Sequence, residues 1–181
     1  MIKMLNGMQL QHLSRDEPVD TTDVMTYCKQ CMFEEGEQKW HAQLWDDHNQ
    51  ENGNKLRTYR LCKEELCAEN YVRLNIPRLE KQTKLRCGVL PLHIELGRRC
   101  RPKKPLEERV CTLCNSGKIE DEIHFLTECD LNVDIRNDLY DAALASMPNI
   151  AQISHIDQYK SLMNDLSLSS CFCKLTYKMF E

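Results

Sequence analysis

Residues 111–129 read CTLCNSGKIEDEIHFLTEC. Cys111, Cys114, His124 and Cys129 give the spacing C-x2-C-x9-H-x4-C. Two cysteines two residues apart sit across a tight knuckle, where both sulfurs reach one ion at about 2.3 Å. Asn115-Ser116-Gly117 supplies residues that reverse a chain. The stretch EDEIHFLTEC at 120–129 has helical character, with His124 near its first turns and Cys129 at its end. Three thiolates and a neutral imidazole close a tetrahedron. A closed site has no position for water or substrate, so the spacing predicts a structural Zn²⁺ and not a catalytic one. The competing reading is a reduced CxxC beside an unrelated histidine and cysteine. In both readings Ile123, Phe125 and Leu126 pack the module.

The N-terminal side holds a second, weaker pattern: Cys28, Cys31, His41 and His48, or C-x2-C-x9-H-x6-H. Its second spacing exceeds the usual three to five residues. His41 and His48 are also about 10 Å apart by helical rise. The remaining cysteines read as packing or surface thiols, with His93 and Cys100 as possible neighbours of the metal helix. Eleven cysteines, an odd number, occur without an apolar leader in MIKMLNGMQLQHLSRDEP. That combination points to a reducing, intracellular compartment, nuclear or cytoplasmic. No run of about 18 apolar residues exists, so no membrane span is expected.

Moving outward, charge divides the chain. The formal net charge of the 181 residues is −4. Residues 1–54 carry −6, residues 55–109 carry +8 and residues 110–181 carry −6. A basic block of this kind is an electrostatic footprint for a polyanion. The plainer alternative is a solvated face, or a block neutralised by the chain's own acids.

The periodicity predicts a mainly α fold: short amphipathic helices plus a small CCHC zinc module with a short β-hairpin or knuckle. Residues 1–36 form a poorly ordered acidic segment, with a short helix near Met4–Leu13. Residues 37–105 form a basic helical region. Within it, Trp40, Leu44 and His48 share one face, and Leu56, Tyr59, Cys62 or Lys63, and Leu66 share another. A third stripe is Leu79, Thr83, Cys87 and Leu90, with a kink or a restart of the helix at Pro91 and a stop at Gly97. PKKP at 102–105 is a stiff basic connector. Residues 106–147 form the zinc module and a following helix, with Leu131, Ile135, Leu139 and Ala142 on one side. Residues 148–181 form the C-terminal helices. There Ser154 with Asp157 makes a cap, and Ile156, Tyr159, Met163 and Leu166 form the stripe.

No phosphate loop, nucleophile elbow or HExxH motif occurs. Leu44-Trp45-Asp46-Asp47 has the acid pair of a polymerase palm, but in a helical context. It reads as a solvated acidic face.

Three stretches resemble a known family. They are Asn54-Lys-Leu-Arg-Thr-Tyr-Arg-Leu61, then Leu85-Arg86 to Leu92-His-Ile-Glu-Leu-Gly-Arg98, then Glu108-Arg-Val-Cys111 through His124-Phe-Leu-Thr-Glu-Cys129. In order, they resemble the region after the polymerase in animal non-LTR retrotransposon reverse transcriptases, ending in the reverse-transcriptase zinc-binding domain. The resemblance spans residues 37–145. It implies Cys111, Cys114, His124 and Cys129 as metal ligands. It also implies Arg57, Arg60, Arg86, Arg98 and Arg99 as backbone contacts to template RNA or target DNA. Arg101, Lys103 and Lys104 extend that basic set. Fingers and palm are missing, so no polymerase activity follows. The expectation is a nonenzymatic zinc protein that binds RNA or DNA backbone without sequence preference. The alternatives are a protein-interaction module, with a protein partner, or an inert transposon remnant.

Overall fold

A computed structural model describes residues 21–46, 54–77 and 79–180. The chain divides into two compact units, Met1–Trp45 and Asp46–Glu181. The protein is mainly helical, and no extended strand occurs among the described residues.

In the first unit, α1 (Thr21–Leu44) is one continuous helix of 24 residues. It begins well before residue 37, so the expected low order does not extend through 21–36. Ion pairing along the helix supports it: Lys39 meets Glu35 at 3.4 Å, one turn away. Leu44 is buried and Trp40 half-buried, as their shared face predicts. The short helix near Met4–Leu13, His48 and Asp47 lie outside the described residues.

The second unit is a helical cluster around one core. Its elements are α2 (Tyr59–Cys62), α3 (Leu79–Arg86), α4 (His93–Arg99), α5 (Val133–Leu144), α6 (His155–Asn164) and α7 (Ser169–Phe180), joined by short 3₁₀ turns. The predicted helix over 55–75 is present only as α2 and a 3₁₀ turn at Asn70–Arg73. Local side-chain bonds take its place. Lys63 is extended and buried, and its ammonium donates to the Cys67 carbonyl at 2.6 Å. The helix expected through 78–101 also divides. Gly88 adopts φ +63°, a left-handed residue that closes α3, and the chain restarts after Pro91. Gly97 is no stop; it lies inside α4.

The core joins all these elements. Leu85, Leu92, Phe125, Leu126, Leu139, Ala143, Tyr159, Leu162 and Phe172 are buried together. α7 packs on α3 and α5, and α6 packs on α2 and on the turn that carries His124. The regions expected at 106–147 and 148–181 therefore share a core with the basic region. On α5, Leu139 and Ala143 are buried, while Leu131 of the expected stripe falls in the preceding 3₁₀ turn and is exposed. On α6, Tyr159, Leu162 and Met163 are buried and Ile156 is exposed, while Leu166 falls in the next 3₁₀ turn and is exposed. Ser154 caps α6 as predicted, its hydroxyl accepting the Asp157 amide at 3.2 Å.

Candidate metal centre

The Cys111–Glu120 segment makes the knuckle. Val110 and Ile119 form an antiparallel bridge. The Cys111 amide donates to the Lys118 carbonyl at 2.8 Å, and the Glu120 amide donates to the Arg109 carbonyl at 2.9 Å. Gly117 turns the chain at φ +68°, a conformation that side chains resist. The expected short hairpin is thus one bridge closed by a glycine turn.

The helical stretch that follows is not an ordinary α-helix. Residues His124–Glu128 form a π-helical turn, closed by the Cys129 amide donating to the His124 carbonyl at 2.8 Å. This decides the site. At 3.6 residues per turn, positions five apart point about 140° away from each other. The i→i+5 ring brings Cys129 back over His124. The Asp121 carboxylate holds the start, accepting the His124 amide at 2.8 Å.

Four ligand atoms converge as a result. Those of Cys111, Cys114, His124 and Cys129 all lie within 4.8 Å of one another, so these residues could hold a metal ion. Cys111 Sγ and Cys129 Sγ are 3.9 Å apart, and Cys114 Sγ is 3.3 Å from His124 Nε2. A tetrahedron with arms of about 2.3 Å has edges of about 3.8 Å, so the spacing fits one ion. Cys111, His124 and Cys129 are buried, and Cys114 is partly exposed. The Ser116 hydroxyl, 3.0 Å from Cys114 Sγ, is the main influence that lowers the Cys114 thiol to about 6. Burial raises the Cys129 thiol to about 12.

A polar shell that sequence spacing did not reveal holds these ligands. Glu128 Oε2 lies 3.2 Å from His124 Nδ1, which leaves Nε2 facing the sulfurs. Lys118 pairs with the same carboxylate at 3.0 Å. Burial alone would raise the Glu128 carboxyl, but the bonds from Lys118 and His124 outweigh it and hold the group low. Glu120 bonds the His93 ring and accepts the His93 amide at 2.8 Å, while its other oxygen is 3.9 Å from Cys111 Sγ. His93 therefore touches the site through Glu120, whereas Cys100 is exposed. The one legible trace of this shell was the His-x3-Glu spacing of 124 and 128.

Of the second pattern, Cys28, Cys31 and His41 lie along α1. Cys31 and His41 are ten residues apart, about 15 Å by helical rise, and cannot share an ion.

The basic residues separate into two groups. Arg57 sits between two buried carboxylates, at 3.1 Å from Glu95 and 2.8 Å from Glu122. Arg98 is 3.6 Å from Glu95. Arg86 is buried. It donates to the Cys62 and Met163 carbonyls, pairs with Glu69 at 3.2 Å and lies over the Tyr71 ring. Arg57 and Arg86 are thus held by acids distant in sequence, and Arg98 by Glu95 one turn away in α4. Arg60 is half-buried. Arg99, Arg101, Lys103 and Lys104 are exposed, and none forms an ion pair among the described residues. Tyr71 is buried and unavailable to stack a base. A half-open cavity of about 350 Å³ borders Lys63, Glu69 and Arg86, away from the four ligands.

Comparison of the chain with models of protein families, with characterised proteins and with solved structures finds no match. Among the described residues, no helix is long and apolar enough to cross a membrane.

Proposed function

We propose that the protein is a nonenzymatic module that holds a structural Zn²⁺ at Cys111, Cys114, His124 and Cys129 and binds the phosphate backbone of RNA or DNA. The convergence of four ligand atoms within 4.8 Å carries the metal half of this reading. The set of three sulfurs and one imidazole suits tetrahedral zinc, and its closure leaves no position for a reacting group. The ion ties the knuckle to the π-turn, whose Phe125 and Leu126 sit in the shared core. Folding and metal affinity are coupled, since the ligands assemble only in the folded chain.

The exposed run Arg99–Lys104 supports the second half. Four cations within six residues face solvent on a connector rich in proline, and among the described residues no carboxylate engages them. Such a strap neutralises phosphates and releases counterions without reading bases. The motif order that resembles the reverse-transcriptase zinc-binding tail agrees with this reading.

The test combines zinc stoichiometry with salt-dependent binding. Cys111→Ser is expected to lose the zinc equivalent that wild type holds. Arg101→Ala/Lys103→Ala/Lys104→Ala keeps zinc and flattens the log–log salt slope by about 0.9 per lost phosphate contact on duplex DNA, or about 0.7 on single strands. A full zinc equivalent in Cys111→Ser overturns the ligand set. A zinc-loaded wild type that leaves heparin, RNA and DNA independently of salt overturns the polyanion reading.

A further inference from the structure

Helix α1 carries a set of sulfurs that the metal centre does not use. Its sequence from 25 to 32 is MTYCKQCM. At 3.6 residues per turn, Met25, Cys28, Cys31 and Met32 fall within an arc of about 120°. Cys28 is the hub, with Met25, Cys31 and Met32 at i−3, i+3 and i+4. Neighbours at these spacings have Cβ atoms about 5–6 Å apart. Both thioethers are well exposed, Met25 at 59 % and Met32 at 62 %, and the two thiols are partly exposed.

The chemistry around this face is selective. The next acids are engaged elsewhere: Glu34 accepts from Gln30 at 2.9 Å, and Glu35 pairs with Lys39. His41 is out of reach. Among the described residues the face offers two thiols and two thioethers, and its nearest carboxylate, Glu35, four residues beyond Cys31, pairs with Lys39. Zinc takes nitrogen, thiolate or carboxylate donors and closes with four of them. Thiolate with thioether favours a softer ion, copper(I).

We propose that Met25, Cys28, Cys31 and Met32 form an all-sulfur site for a single copper(I) ion. Cys28 and Cys31 bind as thiolates, each giving up its proton to solvent, and a thioether from the same face completes the coordination. No redox change accompanies binding. The two metal sites differ in donor set, and the site on α1 needs no second chain.

The test uses the full, zinc-loaded chain, kept anaerobic with a non-thiol reductant. It is titrated with copper(I) in competition with a chromophoric copper(I) chelator, while a zinc indicator follows release from the other site. One equivalent of copper(I) is expected to be withheld with zinc retained. Cys28→Ser/Cys31→Ser loses that equivalent and keeps its zinc. Met25→Leu/Met32→Leu, which preserves helix and bulk, weakens retention and removes thioether sulfur from the copper X-ray absorption signal. Uptake only in exchange for zinc overturns the proposal, as does equal uptake by the cysteine variant. A half-equivalent bound with doubling of mass overturns the single-chain site, and unchanged affinity in the methionine variant removes the thioethers from it.

Discussion

Arg57 offers the sharpest division between a basic residue that binds a partner and one that supports the fold. Its guanidinium is the link between Glu95 and Glu122, whose side chains are 3 % and 0 % exposed. Replacing Arg57 with alanine leaves both carboxylates buried, and Glu95 then has only Arg98 at 3.6 Å among the ion pairs seen here. Breaking a buried pair from one side costs about 3–5 kcal/mol, most of it from the stranded charge. The expected result of urea unfolding on the zinc-loaded protein is a lower midpoint equivalent to a loss in that range, with little change in slope.

The loss also depends on pH in a defined sense. Burial raises the Glu122 carboxyl above its ordinary value, and Arg57 opposes that rise. Without Arg57 the folded-state value climbs further. The penalty is absent below the unfolded carboxyl value, appears as pH rises through it and becomes complete above the folded value. The gap between Arg57→Ala and wild type therefore narrows in mild acid. Arg57→Met/Glu122→Gln, which removes both charges and keeps bulk, recovers part of the loss. An Arg57→Ala protein within about 0.5 kcal/mol of wild type, or a deficit that ignores pH, refutes the assignment.

Gly97→Ala places a Cβ 2.6 Å from Arg109 Cγ. Arg109 is fully buried and tied to the Lys104 and Ile94 carbonyls, so it cannot step aside. Overpacking of about 1–3 kcal/mol outweighs or cancels a helix gain of about 1 kcal/mol, and no stabilisation is expected in thermal unfolding. Gly36→Ala has nothing within 4 Å of its new Cβ and should raise the helical circular dichroism signal. Asp165→Ala removes a carboxylate held low chiefly by the Ser167 hydroxyl at 2.6 Å, with Ser146 at 2.7 Å. It should cost about 0.5–2 kcal/mol near neutrality. Because the folded value is depressed, that contribution is lost as pH falls through it, so wild type and variant converge in acid.

Local chemistry made part of this protein readable. Cysteine and histidine spacing marked the four converging residues, since ligand identity and the reach of a knuckle are short-range properties. Ser154 was legible as a cap, and the apolar positions of α6 marked Tyr159 and Met163 as core. Periodicity was less decisive where a polar side chain bonds the loop that follows it. Lys63 leaves the helical stripe for Cys67 and Glu69, and the chain around it opens. α1 runs through residues whose acidic, turn-like composition suggested little order.

Three matters belonged to the tertiary structure. The π-turn brings Cys129 over His124, which an α-helix of the same residues would not do. Glu128 and Glu120 become supports for the ligands only once the knuckle, the turn and α4 meet. Above all, folding sorts the basic block: Arg57, Arg86 and Arg98 neutralise acids drawn from 69, 95 and 122, while Arg99, Arg101, Lys103 and Lys104 stay in water. Sequence fixes how many charges a segment carries. Which of them remain available to a partner depends on the low-dielectric contacts that the folded chain creates.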